Sequence, residues 1–157
     1  MKPRLNVWTV APQVMQAFVD FSQAMAKDGV EPSLAELVKI RASQLNHCAV
    51  CLHMHTREAL AQGESEVRLT MLAAWPESPL YTDRERAALA WTEALTLLPE
   101  TSAPDNVYAE LQWHFTPEEQ VKLTMLIGII NAWNRFGCGF RAVHPMHAEP
   151  QAEKAAA

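Results

Sequence analysis

The chain has 157 residues, of which 49% are hydrophobic and 20% are charged, and this composition is typical of one soluble globular domain. Its net charge of −5 provides no basic surface for nucleic acid or for an anionic membrane, so neither is expected as a partner. Residues 1–14 lack the continuous apolar segment of a secretion signal, and the longest apolar stretch, 123–133, is too short to cross a bilayer. We therefore expect a cytoplasmic protein.

Apolar residues recur with helical spacing along most of the chain, and no segment alternates with a period of two for long enough to predict a strand. The fold class is therefore predicted to be all-α, with one domain over residues 1–147 and a disordered tail over residues 148–157. In chain order, the predicted helices span residues 12–27, 33–45, 48–62, 67–75, 83–98, 107–114 and 117–136. The first of them carries an apolar stripe made of Val14, Phe18, Phe21 and Met25.

Three helix starts resemble a capping box, in which a Ser or Thr precedes a Glu by three residues. The three pairs are Ser33 with Glu36, Thr82 with Glu85, and Thr116 with Glu119. Proline at position 117 strengthens the third start. The helix that it opens is apolar on nearly every side, so we expect this helix at the centre of the fold or in a subunit interface.

Two of the three cysteines lie in the segment Cys48-x-x-Cys51-x-x-x-His55, which the pattern places at the start of a helix. The spacing i, i+3, i+7 puts all three side chains on one helical face. A thiol at a helix N-terminus has a lowered pKa, because it lies near unpaired backbone N–H groups and the positive end of the helix dipole. A CxxC in a chain without a secretion signal is typical of redox or metal chemistry in a reducing compartment.

The turn at residues 46–47 joins the cysteine helix to the helix before it, and the two are predicted to form an antiparallel hairpin. Glu36 lies ten residues before this turn and His55 eight residues after it. At about 1.5 Å per residue, both side chains lie at nearly the same height in the hairpin. His55 leans back toward Cys51, one turn below it. Glu36, His55, Cys51 and Cys48 are therefore candidates for a proton relay that ends in a thiol pair.

The same residue types permit a metal site as an alternative. A zinc ion could be held by Cys48, Cys51, His55 and either His53 or His47. His53, however, points roughly 160° away from the two cysteines around the helix, which opposes the closure of a four-ligand site. No bound metal is therefore expected.

The remaining residues of chemical interest have structural interpretations. Cys138 lies between two glycines and is predicted to be a small buried residue. Trp91 and Trp133 are assigned to the core, and His144 and His147 to a solvated loop. Taken alone, Glu36 could serve only its capping box, and His55 could be a partly buried structural histidine.

The motif resembles the signature of the AhpD-like alkylhydroperoxidases in the carboxymuconolactone decarboxylase superfamily. The resemblance rests on Glu36, eleven intervening residues, and then Cys48-x-x-Cys51-x-x-x-His55. The flanking segments 41–46, 55–59, 84–89 and 130–135 also agree, and the likeness covers most of residues 10–142.

The resemblance implies an all-helical fold, assembly into trimers or hexamers, and thiol-dependent reduction of hydroperoxides without a bound cofactor. In this family pattern Cys51 attacks the peroxide, Cys48 resolves the sulfenic acid, and Glu36 and His55 relay protons. The reductant is a thiol or dithiol that the sequence does not name, such as a lipoyl partner or a thioredoxin. Decarboxylase-like chemistry on a lactone is a further alternative, although members of that branch generally lack the CxxC.

Two positions differ from the family pattern. Val50 stands where the best-studied pattern has a histidine before the second cysteine, and we expect this change to limit proton delivery. His47 stands where a glycine is common before the first cysteine. His47 either compensates for the missing relay histidine or only caps the turn.

Overall fold

The computed structural model describes residues 2–145, and every regular element in that range is helical. In chain order the elements are α1 (Val7–Val10), α2 (Pro12–Lys27), α3 (Pro32–Leu45), α4 (Ala49–Ala61), α5 (Glu66–Met71), a 3-10 segment (Leu72–Glu77), α6 (Asp83–Thr96), α7 (Leu98–Thr101), α8 (Asp105–His114) and α9 (Pro117–Gly139). The predicted all-α, single-domain fold is confirmed. The predicted disordered tail and His147 lie outside the described residues.

Two apolar clusters form the core, and both draw on α3 and α6. The first, shared with α8 and α9, includes Leu34, Val38, Trp91, Leu111, Leu123 and Ile127. The second, shared with α4, α5 and the 3-10 segment, includes Leu37, Ile40, Ala59, Leu72, Trp75 and Leu89. Each fully buried side chain of this kind stabilises the fold by about 1.5–3 kcal/mol. Because α3 is packed on two sides, it is a well-held support for the residues that it carries.

Two of the three predicted capping boxes are confirmed. At the start of α6, the Glu85 N–H donates to Thr82 Oγ1 at 3.2 Å, and the Thr82 N–H donates to the Glu85 carboxylate at 2.8 Å. At the start of α9, the corresponding distances between Glu119 and Thr116 are 3.3 Å and 2.7 Å. Each pair satisfies two backbone donors that the first helical turn leaves unpaired.

The predicted capping box at α3 is wrong. This helix begins at Pro32, with Glu31 as the N-cap residue and no side-chain cap. Proline prefers the first helical position because its φ is already helical, so Ser33 falls inside the helix. An N-cap residue has a non-helical backbone, and its side chain accepts a hydrogen bond from the backbone N–H of the second or third helical residue. Ser33 lies inside the helix, so its side chain does not cap the helix in this way. The carboxylate of Glu36 is therefore released for other contacts.

Helix α9 runs through the centre of the fold, as predicted. Leu123 and Ile127 are almost completely buried in the first core cluster. The helix continues past the predicted stop and ends at Gly139. Cys138 is exposed, so the prediction of a buried cysteine is wrong. The reason is helical rotation: Gly137 faces α4, and the next residue points about 100° further round, toward solvent.

The two tryptophans assigned to the core differ in their surroundings. Trp91 is buried in the first cluster, as predicted. Trp133 is half-buried and belongs to an aromatic contact between α2 and α9 instead. Its ring lies 4.5 Å from that of Phe18 and 6.3 Å from that of Trp8. Trp133 therefore holds the N-terminal helices against the end of α9.

Part of the apolar surface of α2 remains uncovered. Val14 is 65% exposed, Phe21 42% and Met25 40%, because α2 packs mainly against α1 and α9. On α9, Val121 and Met125 are also exposed. We refer to Val14, Phe21 and Met25 as the α2 stripe. No helix within residues 2–145 is long and apolar enough to span a membrane.

Candidate active site

The predicted helical hairpin is formed by α3 and α4, and its turn is tied to α9. The Asn46 side-chain amide donates to Asn131 Oδ1 and to Asn134 Oδ1, both at 2.9 Å. Asn134 in turn donates to the hydroxyl of Ser43 at 3.0 Å. Asn131 and Asn134 are buried. Buried amides of this kind are stable only when they are hydrogen-bonded, so this network sets the position of the turn beside α9.

His47 is the residue that reverses the chain direction. Its φ of 55° lies in the left-handed region, which costs an L-residue about 1–2 kcal/mol and costs glycine nothing. The turn is closed by the Cys48 N–H, which donates to the Ser43 carbonyl at 3.0 Å. The His47 side chain is exposed. The structure therefore supports a role for His47 in the turn.

The two cysteines of the CxxC are joined to each other by a disulfide. Cys48 is the N-cap residue of α4, and Cys51 lies in the first turn of that helix. Their Cα atoms are 5.4 Å apart, within the usual range for a disulfide. Cys48 is 1% exposed and Cys51 4%. The thiol pair predicted from the spacing is confirmed as a pair.

Gly137 of α9 packs directly on this disulfide. A Cβ at this position would lie 2.6 Å from Cys48 Sγ, 3.0 Å from Val50 Cγ1 and 3.4 Å from Cys51 Sγ. Real Cβ atoms essentially never come within 3.0 Å of another heavy atom, so only glycine fits without displacing α4. Gly137 thus allows α9 to cover the sulfur atoms and shield them from water.

Glu36 and His55 meet as predicted, and two further side chains join them. His55 Nδ1 lies 3.1 Å from Glu36 Oε2 and 2.8 Å from Glu58 Oε2. The Lys39 ammonium group donates to Glu36 Oε1 at 2.7 Å. Glu36 is 4% exposed and His55 7%. The sequence analysis did not identify Glu58 or Lys39, although each lies three residues after its partner, a spacing that brings helical side chains together.

These contacts shift the pKa values of both central groups. Burial alone would raise the pKa of Glu36, but hydrogen bonds from His55 and Lys39 outweigh it and lower the pKa below 4.5. Burial alone would lower the pKa of His55, but hydrogen bonds with Glu36 and Glu58 outweigh it and raise the pKa above 6.5. Glu36 is therefore ionised at neutral pH, and His55 keeps its proton to a higher pH than a free histidine.

The carboxylates also determine which nitrogen of His55 carries the ring proton. Nδ1 faces Glu36 and Glu58, so it carries the ring proton in the neutral tautomer. Nε2 is then the basic atom. Within the described residues, no hydrogen bond joins His55 to either sulfur of the disulfide. The structure thus brings Glu36 to His55 and Cys48 to Cys51, but no hydrogen bond within residues 2–145 joins these two pairs.

The zinc site considered from the sequence is not assembled. The sulfur atoms of Cys48 and Cys51 are bonded to each other, and the ring of His53 stacks on His144 at 5.0 Å. His144 lies in the loop after α9, as predicted, and it is half-buried there. A different group, Glu36, His55 and Glu58, places its ligand atoms within 4.8 Å of one another. This group could hold a cation, but the Lys39 ammonium already neutralises the Glu36 carboxylate.

A shallow cavity of about 130 Å³ reaches Glu36 from the side away from the cysteines. It is lined by Ser33, Glu36, Ala59, Gln62, Gly63 and Glu64. Gly63 follows the end of α4 with a φ of 91°, a left-handed conformation that glycine commonly adopts after a helix. The cavity therefore borders Glu36, which is itself almost completely buried.

Comparisons with known proteins identify the family of this chain. A sequence profile of the Carboxymuconolactone decarboxylase family matches residues 12–94, which include Glu36 and the cysteine motif. YdfG, an uncharacterized protein of Bacillus subtilis strain 168, is 38% identical over 135 residues, which are 86% of this chain and 92% of YdfG.

Solved structures give the same result. ATU0492 from Agrobacterium tumefaciens is a protein of unknown function proposed to be the antioxidant defence protein AhpD. Its crystal structure aligns with a TM-score of 0.91 and 41% identity, over 93% of this chain and 100% of that one. The debrominase Bmp8 shares the fold, with a TM-score of 0.78 and 18% identity over 86% of this chain and 73% of Bmp8. With its sequence match, its fold and its paired cysteines in agreement, this chain belongs to the carboxymuconolactone decarboxylase family, among the AhpD-like members.

Proposed function

We propose that this chain reduces hydroperoxides with Cys48 and Cys51, which cycle between a dithiol and a disulfide. The observation that carries the proposal is the buried His55, held by a buried Glu36, one helical turn after Cys51. A thiol with an oriented histidine beside it is the usual arrangement of an activated cysteine. The similarity to ATU0492, a protein of unknown function proposed to be the antioxidant defence protein AhpD, also supports the proposal.

The first step is the attack of the Cys51 thiolate on one oxygen of the hydroperoxide, which breaks the O–O bond. Cys51 becomes a sulfenic acid, and the alkoxide that leaves takes a proton from His55 to form an alcohol. The Cys48 thiol then attacks the sulfenic sulfur, so that the disulfide forms and water leaves. The two thiols supply the two electrons that reduce the peroxide, and an external dithiol later restores them.

Glu36 is a positioning residue in this proposal. Its carboxylate keeps Nδ1 of His55 protonated, so Nε2 is the atom left to act on Cys51. A protonated histidine beside a thiol lowers the thiol pKa by stabilising the thiolate. The water-accessible cavity at Glu36 provides a route by which the relay exchanges protons with solvent.

The alternative functions have less support. A zinc-binding or ligand-binding module does not need the buried disulfide that Cys48 and Cys51 form. Decarboxylation of a lactone, the chemistry in the family's name, makes no use of a thiol pair. The proposed reaction needs no bound metal or cofactor.

We further propose that the chain assembles into a homo-oligomer of three or six copies. The exposed α2 stripe supports this, because a contiguous apolar surface on a monomer often marks an interface. Sedimentation at micromolar concentration should show a species larger than one chain. A single monomeric species would contradict the proposal.

Titration of free thiols tests the peroxidase proposal. One equivalent of tert-butyl hydroperoxide should reduce the free thiols of the reduced protein from three to one per chain. The Cys51→Ser variant is the control and should keep its two thiols over the same time. A folded wild-type protein that keeps all three thiols would refute the proposed function.

A further inference from the structure

We propose that Cys138 is a third redox thiol, which takes over the disulfide from Cys48 and Cys51 and presents it to an external dithiol reductant. This inference rests on the proposed dithiol cycle, since it assigns the route by which electrons return to the pair. Cys48 and Cys51 are only 1% and 4% exposed, whereas Cys138 is free and exposed. A reductant must reach the sulfur that it attacks, so an exposed thiol beside a buried disulfide provides the missing access.

Gly137 brings Cys138 close to the disulfide. A Cβ on Gly137 would lie 2.6 Å from Cys48 Sγ, so that sulfur is near the Gly137 backbone. Adjacent Cα atoms are about 3.8 Å apart, and with a bond of roughly 1.5 Å to Cβ this places Cys48 Sγ within about 8 Å of the Cys138 Cα. A disulfide holds its two sulfur atoms about 2.05 Å apart, so the end of α9 must move toward the hairpin turn for a Cys138–Cys48 bond to form.

The Cys138 side chain already points toward the turn that carries Cys48. Its thiol donates a weak hydrogen bond to the Asn46 carbonyl at 3.4 Å, two residues before Cys48 in the chain. The surface beside Gly139 is open, because a Cβ on Gly139 would meet no atom within 4 Å. The three sulfur atoms therefore gather at one end of the molecule, where α9 crosses the hairpin turn.

The proposed exchange has three balanced steps. The Cys138 thiolate attacks Cys48 Sγ, so that a Cys138–Cys48 disulfide forms and Cys51 leaves as a thiolate. An external dithiol attacks the exposed sulfur of Cys138 and forms a mixed disulfide, which frees Cys48. The second thiol of the reductant then displaces Cys138. The external dithiol is oxidised to its disulfide, and its two electrons and two protons restore Cys48 and Cys51.

Two observations favour Cys48 as the sulfur that Cys138 attacks. The Gly137 backbone lies nearer to Cys48 Sγ than to Cys51 Sγ, with corresponding Cβ distances of 2.6 Å and 3.4 Å. Attack on Cys48 also releases Cys51, the thiol that lies one turn from His55. A thiolate leaves faster in disulfide exchange when a neighbouring positive charge stabilises it, and His55 lies one helical turn from Cys51.

A cross-linking experiment tests the geometry. The Cys51→Ser variant keeps Cys48 and Cys138, and treatment of the dilute, reduced variant with diamide should join them within one chain. Mass spectrometry of non-reduced peptides locates the bond. The matched control is Cys51→Ser combined with Cys138→Ser, which cannot form it. A folded Cys51→Ser protein that yields only free thiols, or only disulfides between chains, would overturn the proposal.

A second measurement tests the electron route. Cys138→Ser keeps a donor for the Asn46 carbonyl and removes only the sulfur. Starting from the oxidised protein, the rate of reduction by thioredoxin is divided by the rate of reduction by the small phosphine TCEP. This ratio should fall by about tenfold or more in the variant, because the protein dithiol loses its exposed target. An unchanged ratio would overturn the proposal. Neither experiment uses a hydroperoxide, so their failure is distinguishable from failure of the peroxidase function.

Discussion

The close approach of α9 to the disulfide leads to a quantitative prediction for Gly137→Ala. The new methyl group would lie 2.6 Å from Cys48 Sγ and 3.0 Å from Val50 Cγ1. Cys48 is the N-cap residue of α4, and the turn before it is tied to α9 by the hydrogen bonds of Asn46. Cys48 and Val50 therefore have little freedom to move away from the new methyl group. We expect the substitution to destabilise the fold although alanine is the better helix former.

Two opposing effects determine how much Gly137→Ala changes the free energy of unfolding. Alanine in a helix interior is favoured over glycine by about 1 kcal/mol. Overpacking in a close-packed region costs about 1–3 kcal/mol, and the contact at Gly137 is at the severe end. The net loss in the free energy of unfolding is therefore expected to be about 1–2 kcal/mol. Each kcal/mol lowers the Tm by about 2–4 °C in a chain of this size.

Gly128→Ala provides a matched control in the same helix, because a Cβ there would meet no atom within 4 Å. Gly128→Ala should have the higher helix propensity of alanine without a steric penalty, so its free energy of unfolding should rise by up to about 1 kcal/mol. Urea unfolding and thermal melts of both variants, compared with the wild type, measure the difference. If Gly137→Ala is as stable as Gly128→Ala, the tight contact between α9 and the disulfide does not exist as described.

Three other predictions concern the proposed relay. In the Cys48→Ser variant, Cys51 should react once with hydroperoxide and remain a sulfenic acid. A dimedone-type probe and mass spectrometry locate this sulfenic acid. Equally fast labelling of Cys48 in the Cys51→Ser variant would refute the assignment of Cys51 as the attacking thiol. Cys51 is assigned as the attacking thiol because a paired histidine can stabilise a thiolate by more than the helix dipole does, which contributes only about 0.3–1 kcal/mol. Val50→His should raise the peroxidase rate of the folded protein if proton delivery is limiting, and an unchanged rate would show that it is not. The Glu36–His55 pair should stabilise the fold fully between pH 4.5 and 6.5. The contribution of His55 is lost as the pH rises through its raised pKa. The contribution of Glu36 is lost as the pH falls through its lowered pKa. Glu36→Gln should therefore flatten the pH dependence of the free energy of unfolding, and a profile parallel to that of the wild type would contradict the pairing.

The meeting of Glu36 and His55 is the part of the site that the sequence predicts best. A helix rises by a constant amount per residue, and the turn between α3 and α4 is short. Counting residues from the turn is therefore sufficient to place the two side chains at one height, and the 3.1 Å contact confirms it. The capping boxes of α6 and α9 were predictable for the same reason, since each depends only on residues three positions apart.

The false capping box at α3 shows where local patterns become ambiguous. Ser33 and Glu36 have the spacing of a box, but the same glutamate is also placed to meet a histidine on the next helix. Pro32 decides the helix start, and the buried position of Glu36 decides its partner. The contacts of Lys39 and Glu58 have the common i, i+3 spacing of helical surfaces, so the spacing alone does not mark them as part of a site.

The sequence by itself determined the helical class and the hairpin, because these follow from regular geometry within a few helical turns. The tertiary structure decided which faces of distant helices meet. It placed Gly137 on the disulfide, turned Cys138 toward solvent, and left the α2 stripe uncovered. Such contacts join residues up to about ninety positions apart, and the rotation of each helix about its axis depends on the packing of the whole core.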